Sequence, residues 1–162
     1  MLRLQYKYLS FFFGLISILS FFNIIYSYYL NLYLNLDTYY YSLFISLIIS
    51  ILFYKIELKQ KKISIFEKIL TVFFGYILIP LVLTIPFYFS IYNLTFLNSF
   101  FEAISGFTST GFTIFDNIKL IDQSLILWRS STQWIGGLYF LYSIIYLIDI
   151  YDENFKKTLT NF

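Results

Sequence analysis

The stretch Leu94-Thr-Phe-Leu-Asn-Ser-Phe-Phe-Glu-Ala-Ile-Ser-Gly-Phe-Thr-Ser-Thr-Gly-Phe-Thr113 changes character part-way along. Up to Ser105 its apolar residues Leu97, Phe100, Phe101 and Ile104 recur at the spacing of an amphipathic helix. From Gly106 onward it turns to glycine, threonine and serine and is poor in helix formers. The helix predicted over about 96–105 is too short to cross a hydrocarbon core, which needs ~20 apolar residues. A short apolar helix followed by a Thr/Gly strand over about 106–112 reads as a re-entrant loop. Irregular backbone at membrane depth is tolerated only where it is buried in protein or lines a cavity. The pattern therefore bears on function as well as fold.

Working outward, the rest of the chain supplies the membrane. Of its 162 residues 59% are hydrophobic and 12% charged, against about 45–50% apolar and about 25% charged in soluble domains. Four apolar segments are predicted to span, over about 8–30, 39–54, 66–90 and 124–150, which makes the fold class all-α. The opening seven residues and the run behind them have the look of a signal peptide, but Ala103 is the sole alanine and no A-x-A site exists. The first segment is read as a retained helix. The expected organisation is a two-helix hairpin with a cytoplasmic link over 1–62, a helix–loop–helix repeat over 63–150, and a tail over 151–162.

Basic residues orient these spans, because Lys and Arg collect on the cytoplasmic side. Arg3 and Lys7 precede the first span, Lys55, Lys59, Lys61 and Lys62 separate the second from the third, and Lys156 and Lys157 follow the fourth. The 31–38 loop has none and the 91–123 link only Lys119. Both termini are expected in the cytoplasm and the chain in the cytoplasmic (inner) membrane, with the lipid bilayer as its first partner. A net charge of +2 gives no footing for nucleic acid. With no Cys and no His, thiol chemistry, the commonest general base and the commonest metal ligand are all missing. No cofactor is expected, and the chain is not expected to be an enzyme.

What such a loop can do follows from oxygen chemistry. Selecting a bare potassium ion takes rings of backbone carbonyls that replace its hydration shell, and one loop supplies a quarter of a ring. Glycine, free to adopt positive φ, suits the point where the chain turns its carbonyls. Thr108-Ser109-Thr110-Gly111 meets that description, so these four are the candidate potassium ligands, mainly through their carbonyls.

Two separate motifs carry a family likeness: Phe100-Phe-Glu-Ala-Ile-Ser-Gly-Phe-Thr-Ser-Thr-Gly111, then Trp128-Arg129 with Gln133-Trp-Ile-Gly-Gly137. Together they resemble the first pore repeat of TrkH-type potassium uptake proteins, in the Trk/Ktr/HKT superfamily. The resemblance implies four helix–pore-loop–helix repeats around one axis, preceded by a two-helix hairpin that segments one and two match. Gly111 would then be the filter glycine. Phe112 stands where many relatives carry a small residue, and Leu138-Tyr139 where Met-Gly is common. No second S-G-x-T-x-T-G pattern occurs, so an N-terminal portion with one repeat is expected. Further repeats or further copies of the chain would complete the pore, and a cytoplasmic nucleotide-binding subunit would regulate it.

The supporting residues divide by chemistry. Glu102, acidic within an apolar helix, is costly unless satisfied: it bonds loop amides, pairs with Arg129, or draws cations, and a structural partner is favoured. Arg129 either snorkels or tethers the helix carboxylate or the loop carbonyls. Gly106 opens the loop segment, and Gln133 belongs to the second motif. Gly136 and Gly137 are read as close-packing points. Asn23 is expected to bond a neighbouring helix, Pro80 and Pro86 to kink or end one, and the aromatics, 21 Phe and 17 Tyr, mostly to face lipid or the interface. The expected function is potassium transport. The alternatives are a homotetrameric cation channel and a non-transporting membrane assembly or scaffold protein.

Overall fold

The computed structural model describes residues 5–56 and 64–159, with side chains up to residue 147. All regular structure there is helical: α1 (Tyr6–Tyr29), α2 (Leu36–Lys55), α3 (Ile65–Leu83), α4 (Ile85–Tyr88), α5 (Phe96–Phe107), a 3-10 turn (Ile118–Leu120) and α6 (Gln123–Leu159). Among the described residues, three stretches are long and apolar enough to cross a membrane: Tyr6–Tyr29, Leu36–Lys55 and Ile65–Tyr88. The chain is thus a multi-pass membrane protein. The fourth expected span falls within α6, which is long but interrupted by Arg129, Gln133 and a run of hydroxyl residues that lower its hydropathy. α6 also continues past the boundary expected at 150. Most of the basic run at 55–62 lies outside the described residues.

Local chemistry sets the ends. Ser64 caps α3 reciprocally: its Oγ accepts from Glu67 N–H (3.2 Å) and its own N–H donates to Glu67 Oε2 (3.1 Å), a capping box written as Ser64-x-x-Glu67. The third predicted span divides at Thr84, just before Pro86, which has no N–H to continue the ladder. Pro80 sits inside α3. At the break, the Leu83 carbonyl accepts the Trp128 indole N–H (3.1 Å), so buried backbone stays satisfied.

The hairpin is stitched by serines. Ser10 and Ser50 donate to each other's carbonyls (2.8 and 2.9 Å), and Ser20 donates to Ser42 Oγ (3.0 Å). Small hydroxyl residues let α1 and α2 approach closely, and the hydroxyl protons of Ser10, Ser20 and Ser50 all find partners. The hydrogen bond expected from Asn23 is not made; both its polar side-chain atoms are buried without a partner.

Asn35 joins hairpin to repeat. Its Nδ2 donates to Asp122 Oδ2 (2.9 Å) and its Oδ1 accepts from Ile91 N–H (3.1 Å). Nearby, Tyr39 Oη and Ser124 Oγ meet at 2.8 Å. Beside many exposed aromatics, a smaller set forms the core: Phe12, Phe13, Tyr39, Phe87, Phe107, Trp128 and Tyr139 are fully buried. Tyr139 packs edge-on to Phe12 (4.8 Å) and Tyr76 (4.9 Å). Bulk replaces a small residue there because Gly75 on α3 leaves room for the ring.

Candidate functional site: the loop after α5

α5 begins at Thr95, whose Oγ1 accepts from Asn98 N–H (3.3 Å). It ends two residues later than predicted, so Gly106 and Phe107 are helical and the segment 106–112 forms no strand. The extra turn holds because Gly106 lies against Thr132 and the Phe107 backbone against Gly136, where a Cβ would overlap the Phe107 carbonyl. At 12 residues α5 is about 18 Å long. Its last residue packs against Tyr76 (5.7 Å between rings), close to the middle of the Ile65–Tyr88 span.

The helix closes in a Schellman motif: Thr110 N–H donates to the Ser105 carbonyl (3.0 Å) and Ser109 N–H to that of Gly106 (2.9 Å). Ser109 occupies the left-handed position at φ +56°, which usually goes to glycine. Gly111 follows at φ +80°. Nothing lies within 4 Å of where its Cβ would be, so backbone conformation alone demands glycine there.

An ion pair sits behind the loop. Glu102, 0% exposed, and Arg129, 8% exposed, are both buried, and Arg129 Nη1 meets Glu102 Oε2 at 3.1 Å. Arg129 Nη2 donates to the carbonyls of Gly111 and Phe112, both at 3.0 Å. Glu102 Oε1 accepts from Thr113 Oγ1 (2.7 Å) and Ile114 N–H (2.6 Å). Ser105 Oγ holds the Phe112 carbonyl from the other side (2.7 Å). Arg129 is a tether and does not snorkel. Glu102 serves as a structural acceptor, for backbone just beyond the candidate filter.

These bonds sort the carbonyls. That of Gly111 is turned to Arg129, whereas among the described residues no donor reaches the carbonyls of Thr108, Ser109 or Thr110. Thr108 Oγ1 gives its proton to the Ile104 carbonyl (2.8 Å) and lies 2.6 Å from Thr110 Oγ1, so Thr110 is the donor in that pair. Both hydroxyls therefore spend their protons inside the loop. All of residues 108–112 are exposed in the single chain, and the Phe112 ring is 67% exposed.

The remaining residues lie outside this knot. Gln133 is half-buried and makes no side-chain hydrogen bond among the described residues, and Gly137 faces open space, unlike Gly136. Thr113 and Ser105 were not singled out as site residues; their hydroxyls in the Thr/Ser-rich segment were the available signal.

Sequence comparison finds similar proteins. An uncharacterized cation transporter of Methanocaldococcus jannaschii is 27% identical over 127 residues, covering 77% of this chain and 27% of the relative. The Trk system potassium uptake proteins TrkG of Escherichia coli and TrkI of Halomonas elongata are 41% and 40% identical over 46 and 60 residues. This chain is a relative of the Trk potassium uptake proteins. The matches to TrkG and TrkI cover 28% and 37% of the chain, but only 10% and 11% of those Trk proteins. Against the archaeal relative, too, the chain spans about a quarter of the length. No family model matches the chain, and no solved structure matches it significantly.

Proposed function

We propose that this chain contributes one pore repeat to a potassium-conducting, Trk-type pathway and conducts when further repeats complete the ring. The observation that carries this reading is the set of three exposed carbonyls, on Thr108, Ser109 and Thr110, that no protein donor claims. Unclaimed backbone oxygens are what a dehydrated alkali cation requires.

Three features support it. The loop follows a helix that ends beside Tyr76, at mid-span depth, as a re-entrant segment does. The C-terminal end of α5 faces the loop, and the partial negative charge of a helix C-terminus favours a cation. Arg129, which would repel one, is neutralised by Glu102. The ion is substrate and not a resident cofactor, and the role is transport, not catalysis. In this reading α6 is the fourth span, both termini lie in the cytoplasm and the chain sits in the cytoplasmic membrane. The other partners are the remaining pore repeats and a cytoplasmic nucleotide-binding regulator.

Gly111→Ser tests the proposal in the complete assembly, expressed in cells lacking their own potassium uptake. Rubidium uptake in competition with sodium should lose its preference for the larger ion. An unchanged preference would sink the reading.

A further inference from the structure

Away from the loop, the hairpin holds a polar feature that transport does not use. Asn23 is 1% exposed and Ser27 is 0% exposed. Among the described residues, neither Asn23 Nδ2, Asn23 Oδ1 nor Ser27 Oγ has a hydrogen-bond partner. The two residues are four apart on α1, so their side chains stand one above the other on a single face. That face carries Ser20 as well, whose hydroxyl reaches Ser42 on α2.

Ser27 departs from its peers. Ser20, Thr71, Ser99 and Ser143 each donate to the carbonyl one turn back, at 2.7–3.0 Å. Ser27 Oγ does not, although the same carbonyl geometry is available to a serine in any helix. Buried polar groups in lipid-embedded protein are seldom left in that state.

We infer that α1 binds an ordered water molecule between Asn23 and Ser27. The donor set decides the occupant. Asn23 offers both an unpartnered donor and an unpartnered acceptor, so the ligand must accept from Nδ2 while donating to Oδ1. A metal cation satisfies only the oxygen and is repelled by the amide protons. Water does both and has Ser27 as a third partner, within the two to four hydrogen bonds a buried water makes. Asn23 lies about three and a half helical turns along α1 from Ser10 and about one turn from the direct Ser20–Ser42 bond.

The full chain, labelled with ¹⁵N-asparagine and reconstituted in lipid bilayers, tests this by water-edited solid-state NMR. The Asn23 amide is identified as the signal lost in Asn23→Leu. Magnetisation from water should reach that amide, and Ser27→Ala, which leaves Asn23 in place, should slow the transfer by about twofold as one of the water's partners is lost. Transfer arriving only from lipid or protein protons, or transfer unaffected by Ser27→Ala, overturns the inference. So does a saturable shift of the Asn23 amide on titration with potassium or sodium, which would make the occupant a cation. None of these outcomes touches the pore reading.

Discussion

Two helices of this chain end in the same hydrogen-bond pattern and lead to opposite results. α1 closes with Leu32 N–H on the Ser27 carbonyl (2.8 Å) and Asn31 N–H on that of Tyr28 (3.3 Å), with Asn31 at φ +56°. α5 closes with the same pair of bonds around Ser109, also at φ +56°. After α1 the chain turns directly into α2, and helix resumes at Leu36. After α5 a second positive φ at Gly111 carries the backbone away from helix until Ile118. The cap alone does not make a pore loop. What differs is the support: neutral serine pairs in the hairpin, and a buried carboxylate–guanidinium pair behind the loop. Non-helical backbone in an apolar setting needs strong, directional partners, and charge-assisted hydrogen bonds supply them.

The contrast can be broken by substitution. The largest effect should come from Arg129→Ala, which strands Glu102 and frees two carbonyls. A loss of about 3–5 kcal/mol is expected, read by denaturant unfolding in detergent, and Glu102→Leu combined with Arg129→Leu should cost less than Arg129→Ala alone. Should Arg129→Ala cost no more than a serine change in the hairpin, the two regions are held alike and the comparison fails. Next comes Gly111→Ala, expected to cost about 1–2 kcal/mol through left-handed strain. Gly137→Ala has open space and no positive φ, so it should be neutral or slightly stabilising in the same assay.

Ser109→Gly sharpens the comparison in the other direction. Relief of strain at the cap should exceed the entropy cost of glycine, for a net gain of up to about 1 kcal/mol, visible as a higher unfolding midpoint. Ser20→Ala removes one interhelical hydroxyl bond and should cost about 0.6 kcal/mol.

Much of this was legible beforehand because it rests on local rules. The apolar periodicity around Phe100 and Ile104 marked α5, and Gly111 stood where positive φ is found. The carboxylate in an apolar helix announced that Glu102 needed a partner, without saying which. The extent of α5 was misjudged because Gly106 is a poor helix former by itself, and only its packing on Thr132 keeps it helical. Tyr139 looked out of place until Gly75 made room for it.

The amino-acid order by itself determined a membrane chain with an interrupted segment rich in threonine and glycine, since hydropathy and backbone preference are properties of neighbours in sequence. Tertiary structure alone decided which oxygens face outward. Arg129, on a different helix, takes the carbonyls of Gly111 and Phe112 and leaves those of Thr108, Ser109 and Thr110 unclaimed. A hydrogen bond between residues far apart in the chain is fixed by how helices pack, and no local rule encodes it.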